Sequence, residues 1–267
     1  MKLGEILDTS AYCSIGTANS KTDLEVVERF IMQNEKLINR FPFKIIAMNG
    51  ELAEDASTIY KAYFPDVNFI VVTRNLGHTF GTLDLDATIF KTAKNLKGLK
   101  WIWKYSNDCI IEESIFDKEV NLADFYYFTN IGYSSLVQWK FDIDKLVDDV
   151  YTGLTMYPQT NFYIIRSDVD ELLDSESLFN MYELWLDQPE KKPWELFKGI
   201  DCESVLLSCV ERNKLVSHQL LDKPTLYTLC KLINDTALAD GSYKNIMFSD
   251  IGNFCHYQYI DNNILVI

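Results

Sequence analysis

Apolar residues along the first hundred positions fall into two alternating kinds of pattern. Short continuous runs, rich in β-branched and aromatic side chains, stand at Phe43–Met48, Phe69–Val72 and Leu99–Tyr105. Between them, apolar positions recur at helical spacing, as in the stripe Val27, Phe30, Ile31, Leu37 and Ile38. Continuous runs read as strands buried on both faces, and spaced ones as helices lying on a sheet. Ile6–Ile15 is expected to hold the first strand, with Gly16-Thr17-Ala18-Asn19-Ser20 as the loop behind it. Thr22 and Glu25 have capping-box spacing for the first long helix. Asn49-Gly50 closes the second strand, and Ala53–Phe64 reads as a helix that Pro65 stops.

The stretch from Phe69 to Asp108 organises the rest. After the Phe69–Val72 strand comes the break Arg74-Asn75-Leu76-Gly77. A helix follows, with Leu83, Ala87 and Phe90 on one stripe, Ile89, Ala93 and Leu96 beside it, and Gly98 at its end. Trp101-Ile102-Trp103 then runs straight into Ser106-Asn107-Asp108. Four strands alternate with three helices, which predicts a mostly parallel, Rossmann-type sheet with right-handed crossovers. In such a sheet both polar clusters arrive at the carboxyl edge, where ligands bind.

After Asp117 the rhythm changes. Phe125–Tyr133 and Leu136–Phe141 are expected to be strands joined at Gly132 or Ser134-Ser135, and Asp144–Tyr151 a short helix. Phe162–Ile165 reads as a strand behind Pro158-Gln159-Thr160-Asn161, and Val169–Leu186 as a helix. Pro189–Pro193 is a charged loop; Gly199–Glu203 opens a helix that buries Val205, Leu206, Cys209 and Val210; and Asn253–Ile267 is a last strand. Two halves sharing one core, 1–113 and 114–267, are the simplest division.

Composition narrows the function. The 267 residues are 48% hydrophobic, enough to fill a large core, and the net charge is -14. An acidic surface repels phosphate backbones, so no nucleic-acid partner is expected, and no basic run would hold an anionic membrane. No apolar run approaches a membrane span, and MKLGEILDTS is not a signal peptide, so a cytoplasmic protein is expected. The six cysteines include no CxxC pair and read as reduced, mostly buried thiols rather than a zinc site. A GxxxxGK[ST] loop and a GxGxxG turn are both missing, which excludes a P-loop enzyme and disfavours a dinucleotide-binding oxidoreductase.

The order of elements, the Arg74-Asn75-Leu76-Gly77 turn, the glycine-spaced helix start and WIWKYSNDCII together resemble a GT-A-type glycosyltransferase, particularly the family-2-like and viral or phage-encoded members. In the second half the resemblance extends to PQTNFYII and GIDCES. It implies a GT-A-like α/β fold with a nucleotide-sugar-binding half and a mixed C-terminal acceptor half. The implied reaction moves a sugar from a nucleoside-diphosphate sugar, such as a UDP-sugar, to a hydroxyl of a glycan or other acceptor, with inversion. Many relatives end a strand in Asp-x-Asp, whose carboxylates hold Mn²⁺ or Mg²⁺ against the diphosphate. This chain has Ser106-Asn107-Asp108 there, with Asp108 the one acid and Asn107 a neutral oxygen ligand. A weaker metal site, a metal-independent enzyme and an inactive one are all compatible with that departure. By the same analogy His256 is a further metal ligand.

The remaining candidates follow from chemistry at the expected edge. Arg74, Asn75 and Gly77 are placed to touch the nucleotide, by guanidinium pairing and close backbone approach; the plainer alternative is an ordinary turn. Gly81 stands close behind, and Asp84 orients a ribose or Arg74, or merely favours the helix start. Asn49 stands where relatives read the base, or else makes a plain Asn-Gly turn. Glu203, ahead of Asp201, is the candidate general base; the alternative is a first-turn acid and an N-cap. Thr160, Asn161 and Tyr163 either line the acceptor cleft or simply form a strand. His78 is near enough to the Arg74 turn to meet a phosphate, whereas His218 reads as structural. Two other functions compete: a catalytically degenerate nucleotide-sugar-binding protein of the same fold, and another α/β enzyme such as a nucleotidyltransferase or methyltransferase. The first loop, with its single Gly16, has neither the basic glycine-rich loop of the former nor the glycine-rich turn of the latter.

Overall fold

The structure is a computed structural model of the chain. It describes residues 1–106, 109–111, 113–129, 140, 142–152, 158–170, 173–198, 200–228, 230–231, 254–260 and 263–266. The first half alternates strictly: β1 (Ser10–Thr17), α1 (Lys21–Ile38), β2 (Phe43–Asn49), α2 (Ala53–Tyr63), β3 (Asn68–Val71), α3 (Gly77–Lys94) and β4 (Trp101–Ser106). The second half adds β5 (Cys109–Ile111), β6 (Phe125–Thr129), α4 (Ile143–Tyr151), β7 (Pro158–Arg166), α5 (Ser175–Leu186), α6 (Pro193–Leu196), α7 (Cys202–Arg212) and β8 (Ser217–Gln219). The tail forms β9 (Phe254–Ile260) and β10 (Asn263–Val266).

One seven-stranded sheet has the order β3-β2-β1-β4-β7-β6-β8. The first four strands are mutually parallel, β7 runs antiparallel to both β4 and β6, and β8 is parallel to β6. The fold is therefore α/β with a mostly parallel sheet and a mixed second half. Helices α1, α2 and α4 bury their apolar stripes on one face, and α3, α5 and α7 on the other. The switch of face is forced by topology. Connections β1 to β2 to β3 step one way across the sheet, while β3 to β4 steps back past β1, and right-handed crossovers then require opposite faces.

Several boundaries differ from the sequence pattern, each for a local reason. Leu3–Thr9 is a 3₁₀ helix, so β1 starts at Ser10 and absorbs Gly16 and Thr17. The capping box of α1 lies two residues earlier than Thr22 and Glu25. Asp23 N–H donates to Ser20 Oγ at 3.2 Å, and Asp23 Oδ2 accepts from Ser20 N–H at 2.9 Å. Strand β3 is only partly buried because it is the sheet edge, although Phe69 and Ile70 still reach opposite cores. Helix α3 ends at Lys94, and Gly98, at φ 90°, makes the turn after it. Helix α5 starts at Ser175 rather than near Val169, since the Asp174 carboxylate caps it by accepting from the N–H groups of Glu176 and Ser177. The tail is an antiparallel pair of strands, and β9 also pairs with β5. The expected strands over 130–139 and the joints at Gly132 and Ser134-Ser135 lie outside the described residues. No helix among the described residues is long and apolar enough to cross a membrane.

Candidate functional site

The carboxyl ends of β1, β2 and β4 share one sheet edge with the amino end of β7, because β7 runs the other way. The topological switch point falls between β1 and β4. At the end of β2, Asn49 is only 2% exposed. Its Oδ1 accepts from the Thr17 hydroxyl at 2.5 Å, and its backbone carbonyl accepts from Ala18 N–H at 2.9 Å. Gly50 has φ 103°, and a Cβ there would lie 2.3 Å from the Ala18 carbonyl oxygen. Asn49-Gly50 is thus a lock between two loops rather than a plain turn. A Cβ on Gly81 would stand 3.6 Å from Asn49 Nδ2, so the second turn of α3 rests against the same amide.

The Arg74 turn is built for internal ties. Arg74 donates to both carboxylate oxygens of Asp84, Nε at 2.9 Å and Nη2 at 2.6 Å, and Nη2 also donates to the Ser175 carbonyl at 3.1 Å. Its guanidinium also lies 5.7 Å from the Phe179 ring centroid. The turn is thereby fastened to α3 and α5 at once. Asn75 Oδ1 accepts from Gly77 N–H at 3.0 Å, an Asx-type turn that sets Gly77 at φ 73°. A Cβ on Gly77 would meet nothing within 4 Å, so backbone conformation, and no contact within the protein, is what calls for glycine there. His78 is exposed in the first turn of α3.

The third group lies where β4, β7 and α7 meet. Ser106 Oγ donates to Asn161 Oδ1 at 3.3 Å, and Thr160 Oγ1 donates to Glu203 Oε1 at 3.2 Å. Glu203 stands in the first turn of α7 and Asp201 is its N-cap. Asp201 accepts from Ser204 N–H at 2.8 Å and from the Ser204 hydroxyl at 2.7 Å, so both its oxygens serve the helix start. Asn107 and Asp108 lie outside the described residues. In backbone register His256 is opposite Cys109, the residue that follows Asp108 in sequence. Tyr163 is not a cleft residue: it sits mid-strand, buried in the core shared with α3 and α7. His218 is half-buried edge-on to Tyr126, and burial lowers its pKa. Among the described residues no three His, Cys, Asp or Glu side chains group to hold a metal ion. Cys13, Cys202, Cys209 and Cys230 are free thiols.

Sequence reasoning passed over a buried ion pair beneath this edge. Lys104 and Asp86 are 1% and 3% exposed, and Lys104 Nζ is 3.9 Å from Asp86 Oδ1. The ammonium donates to the Thr160 carbonyl and lies 3.5 Å from Ser106 Oγ and 5.7 Å from the Tyr163 ring centroid. Burial pushes the Asp86 carboxyl up to about 6, against the pull of Lys104. The Cys202 thiol is pushed up to about 12, by burial first and then by Asp86 and Glu203. The signal was present: Lys104 interrupts Trp101–Tyr105, a run otherwise fit for full burial, and lysine is rarely buried without a partner.

No protein-family model and no curated protein matches the sequence. Among solved structures, the chain is similar to the glycosyltransferase GlyE of Streptococcus pneumoniae TIGR4, at 11% identity over 96% of this chain and 56% of that one, with a TM-score of 0.44. It is similar to the inositol-1-phosphate CTP transferase of T. maritima at 10% identity, over 80% of this chain and 85% of that one, with a TM-score of 0.40. The mannosyltransferase Ktr4p of S. cerevisiae is similar at 13% identity, over 70% of this chain and 62% of that one, with a TM-score of 0.36. The chain thus spans little more than half of GlyE. These likenesses are distant, and the functional reading rests on the chain's own edge residues.

Proposed function

We propose that the protein is an inverting glycosyltransferase that moves a sugar from a nucleoside-diphosphate sugar to an acceptor hydroxyl. Residues 1–113 would hold the donor and 114–267 the acceptor. Glu203 takes the proton of the acceptor hydroxyl as its oxygen forms a bond to the anomeric carbon and the bond to the diphosphate breaks. The observation that carries this reading is a pair of hydrogen bonds from consecutive residues of β7. Asn161 holds Ser106 at the end of β4, and Thr160 holds Glu203. A carboxylate is thereby tethered beside the strand end from which the donor's diphosphate would be approached. Asn49, held at the edge by Thr17 and backed by Gly81, supports the base or ribose site from beneath, with Asn75 and Gly77 on the β3–α3 turn and Asn107 after β4 in sequence as the proposed contacts. With Arg74 committed to Asp84, the pair serves the donor by fixing that turn.

A divalent cation would be held by Asp108 and His256, whose chain neighbour and own backbone meet in the β5–β9 register. Mg²⁺ demands a near-ideal shell of oxygen ligands, whereas one carboxylate with one imidazole is a mixed set that suits Mn²⁺ better. When bound, such an ion neutralises the leaving diphosphate. The cell interior is the proposed location, in keeping with the free thiols.

The test is a thermal-shift panel of UDP, GDP, CDP, dTDP and S-adenosylmethionine, each with and without Mn²⁺. A ligand that binds only the folded state raises the melting temperature. A shift with one nucleoside diphosphate, followed by transfer from its sugar, is the expected result. No shift with any diphosphate, or a shift with S-adenosylmethionine alone, would overturn the reading.

A further inference from the structure

We propose that the buried Lys104–Asp86 pair is a positioning device for the reaction, holding Glu203 against the end of β4 through Thr160. The inference rests on the glycosyltransferase reading and adds to it a pair of residues that never meets substrate. Lys104 is 1% exposed, so its ammonium cannot reach a bound donor. It reaches Thr160 instead, donating to the backbone carbonyl, while the hydroxyl of the same residue donates to Glu203 Oε1 at 3.2 Å. The ammonium also stands 3.5 Å from the Oγ of Ser106, the last residue of β4. One charge therefore sets the end of β4 and the start of β7 in a single frame, and Glu203 hangs from that frame.

The anchoring comes from the other face of the pair. Asp86 sits in the middle of α3 with Leu85 and Ala87 buried on either side of it. Its Oδ1, 3.9 Å from Lys104, has no hydrogen-bond partner, so the ammonium is its nearest compensation. A pair of apolar residues of similar volume would be at least as stable in such a place. A buried charge pair at this point is therefore explained poorly by stability and well by direction. A lysine aims three donors, and here its surroundings leave them the Thr160 carbonyl, Ser106 and Asp86.

The experiment uses the full chain with the donor identified by the nucleotide panel. The variants are K104M/D86N, which removes both charges together and so leaves no lone buried ion, and T160V, which leaves the pair intact and cuts the last bond to Glu203. Both should keep a cooperative thermal unfolding transition and bind the nucleoside diphosphate within about threefold of the parent Kd. Both should lose roughly tenfold or more in kcat with donor KM little changed, the pattern of an interaction used in the transition state. T160S, which restores the hydroxyl, should recover kcat. Should K104M/D86N fail to fold, D86N alone takes its place, since it keeps the lysine and the side-chain shape while removing the anchoring charge, and parental kcat in folded D86N would overturn the role of the pair. A folded K104M/D86N or T160V with parental kcat would overturn the positioning role while leaving the transferase reading in place. A parent protein that binds no diphosphate and transfers no sugar would overturn both.

Discussion

Arg74 and Asp84 form a two-point ion pair at 2.9 and 2.6 Å, with the carboxylate 1% exposed and the guanidinium at the surface end. The pair bolts the loop after β3 onto α3 ten residues later, and a third bond carries it to α5. Arg74→Ala would leave the buried carboxylate without its donors, and leaving a buried charged group unpaired costs on the order of 3 kcal/mol. Urea denaturation should report that loss. Arg74→Lys, which cannot reproduce the fork, should recover less than half of it.

Two glycines of positive φ should respond unequally to alanine. At Gly50 a Cβ would meet the Ala18 carbonyl at 2.3 Å, so Gly50→Ala must displace backbone at the edge of the sheet. A loss above about 2 kcal/mol is expected. At Gly77 the space is open and only the left-handed conformation resists, so Gly77→Ala should cost about 1 kcal/mol and Gly77→Asn less. Equal losses at the two sites, measured by thermal denaturation, would contradict the geometry.

Asp86 predicts an inverted pH dependence. Its carboxyl titrates near 3.8 when unfolded and about 6 when folded. Between those values the native state holds the extra proton, so stability falls as pH rises from about 4 to 6. The contribution is greatest below 3.8 and is lost through about 6, on the order of 3 kcal/mol in all. The groups facing it are Lys104, which opposes the shift, and the neutral Cys13, Cys202 and Tyr163, whose own pKa values are raised by burial first and then by Asp86. Unfolding free energies of the parent and Asp86→Asn at pH 4 and pH 7 should differ by a gap that changes in that direction.

The two acids of α7 should separate by function. Asp201→Asn keeps an N-cap and should leave both stability and transfer nearly intact, while Asp201→Ala should cost about 1 kcal/mol of stability. Glu203→Gln keeps the Thr160 hydrogen bond and should spare donor binding while blocking transfer. Retained transfer in Glu203→Gln would move the general base elsewhere.

At the metal position, Asp108→Ala should abolish turnover and remove any Mn²⁺-dependent part of nucleotide binding. Isothermal titration with and without Mn²⁺ checks it, and identical affinities in the parent protein under the two conditions would remove the metal from the reading.

The sequence by itself determined the alternation of strands and helices, the parallel first half and the sheet edge at which candidate residues gather. These follow from local causes. Runs such as Phe43–Met48 and stripes such as Val27–Ile38 carry their period in a dozen residues, and Pro65 or Gly98 stops an element wherever it lies. Tertiary structure alone decided what the polar residues do once there. Asp84, Asp86 and Lys104 look alike as charges in a sequence. Only α3 being covered by the sheet on one side and by α5 and α7 on the other makes the acids buried, and only the β4–β7 register brings Lys104 to Thr160. The same register unites Ser106 with Asn161 across 55 residues, while the fold joins Thr160 to Glu203 across 43. Such pairings depend on chain crossing and strand offset, where a shift of one residue turns each side chain to the other face, and no local pattern records them.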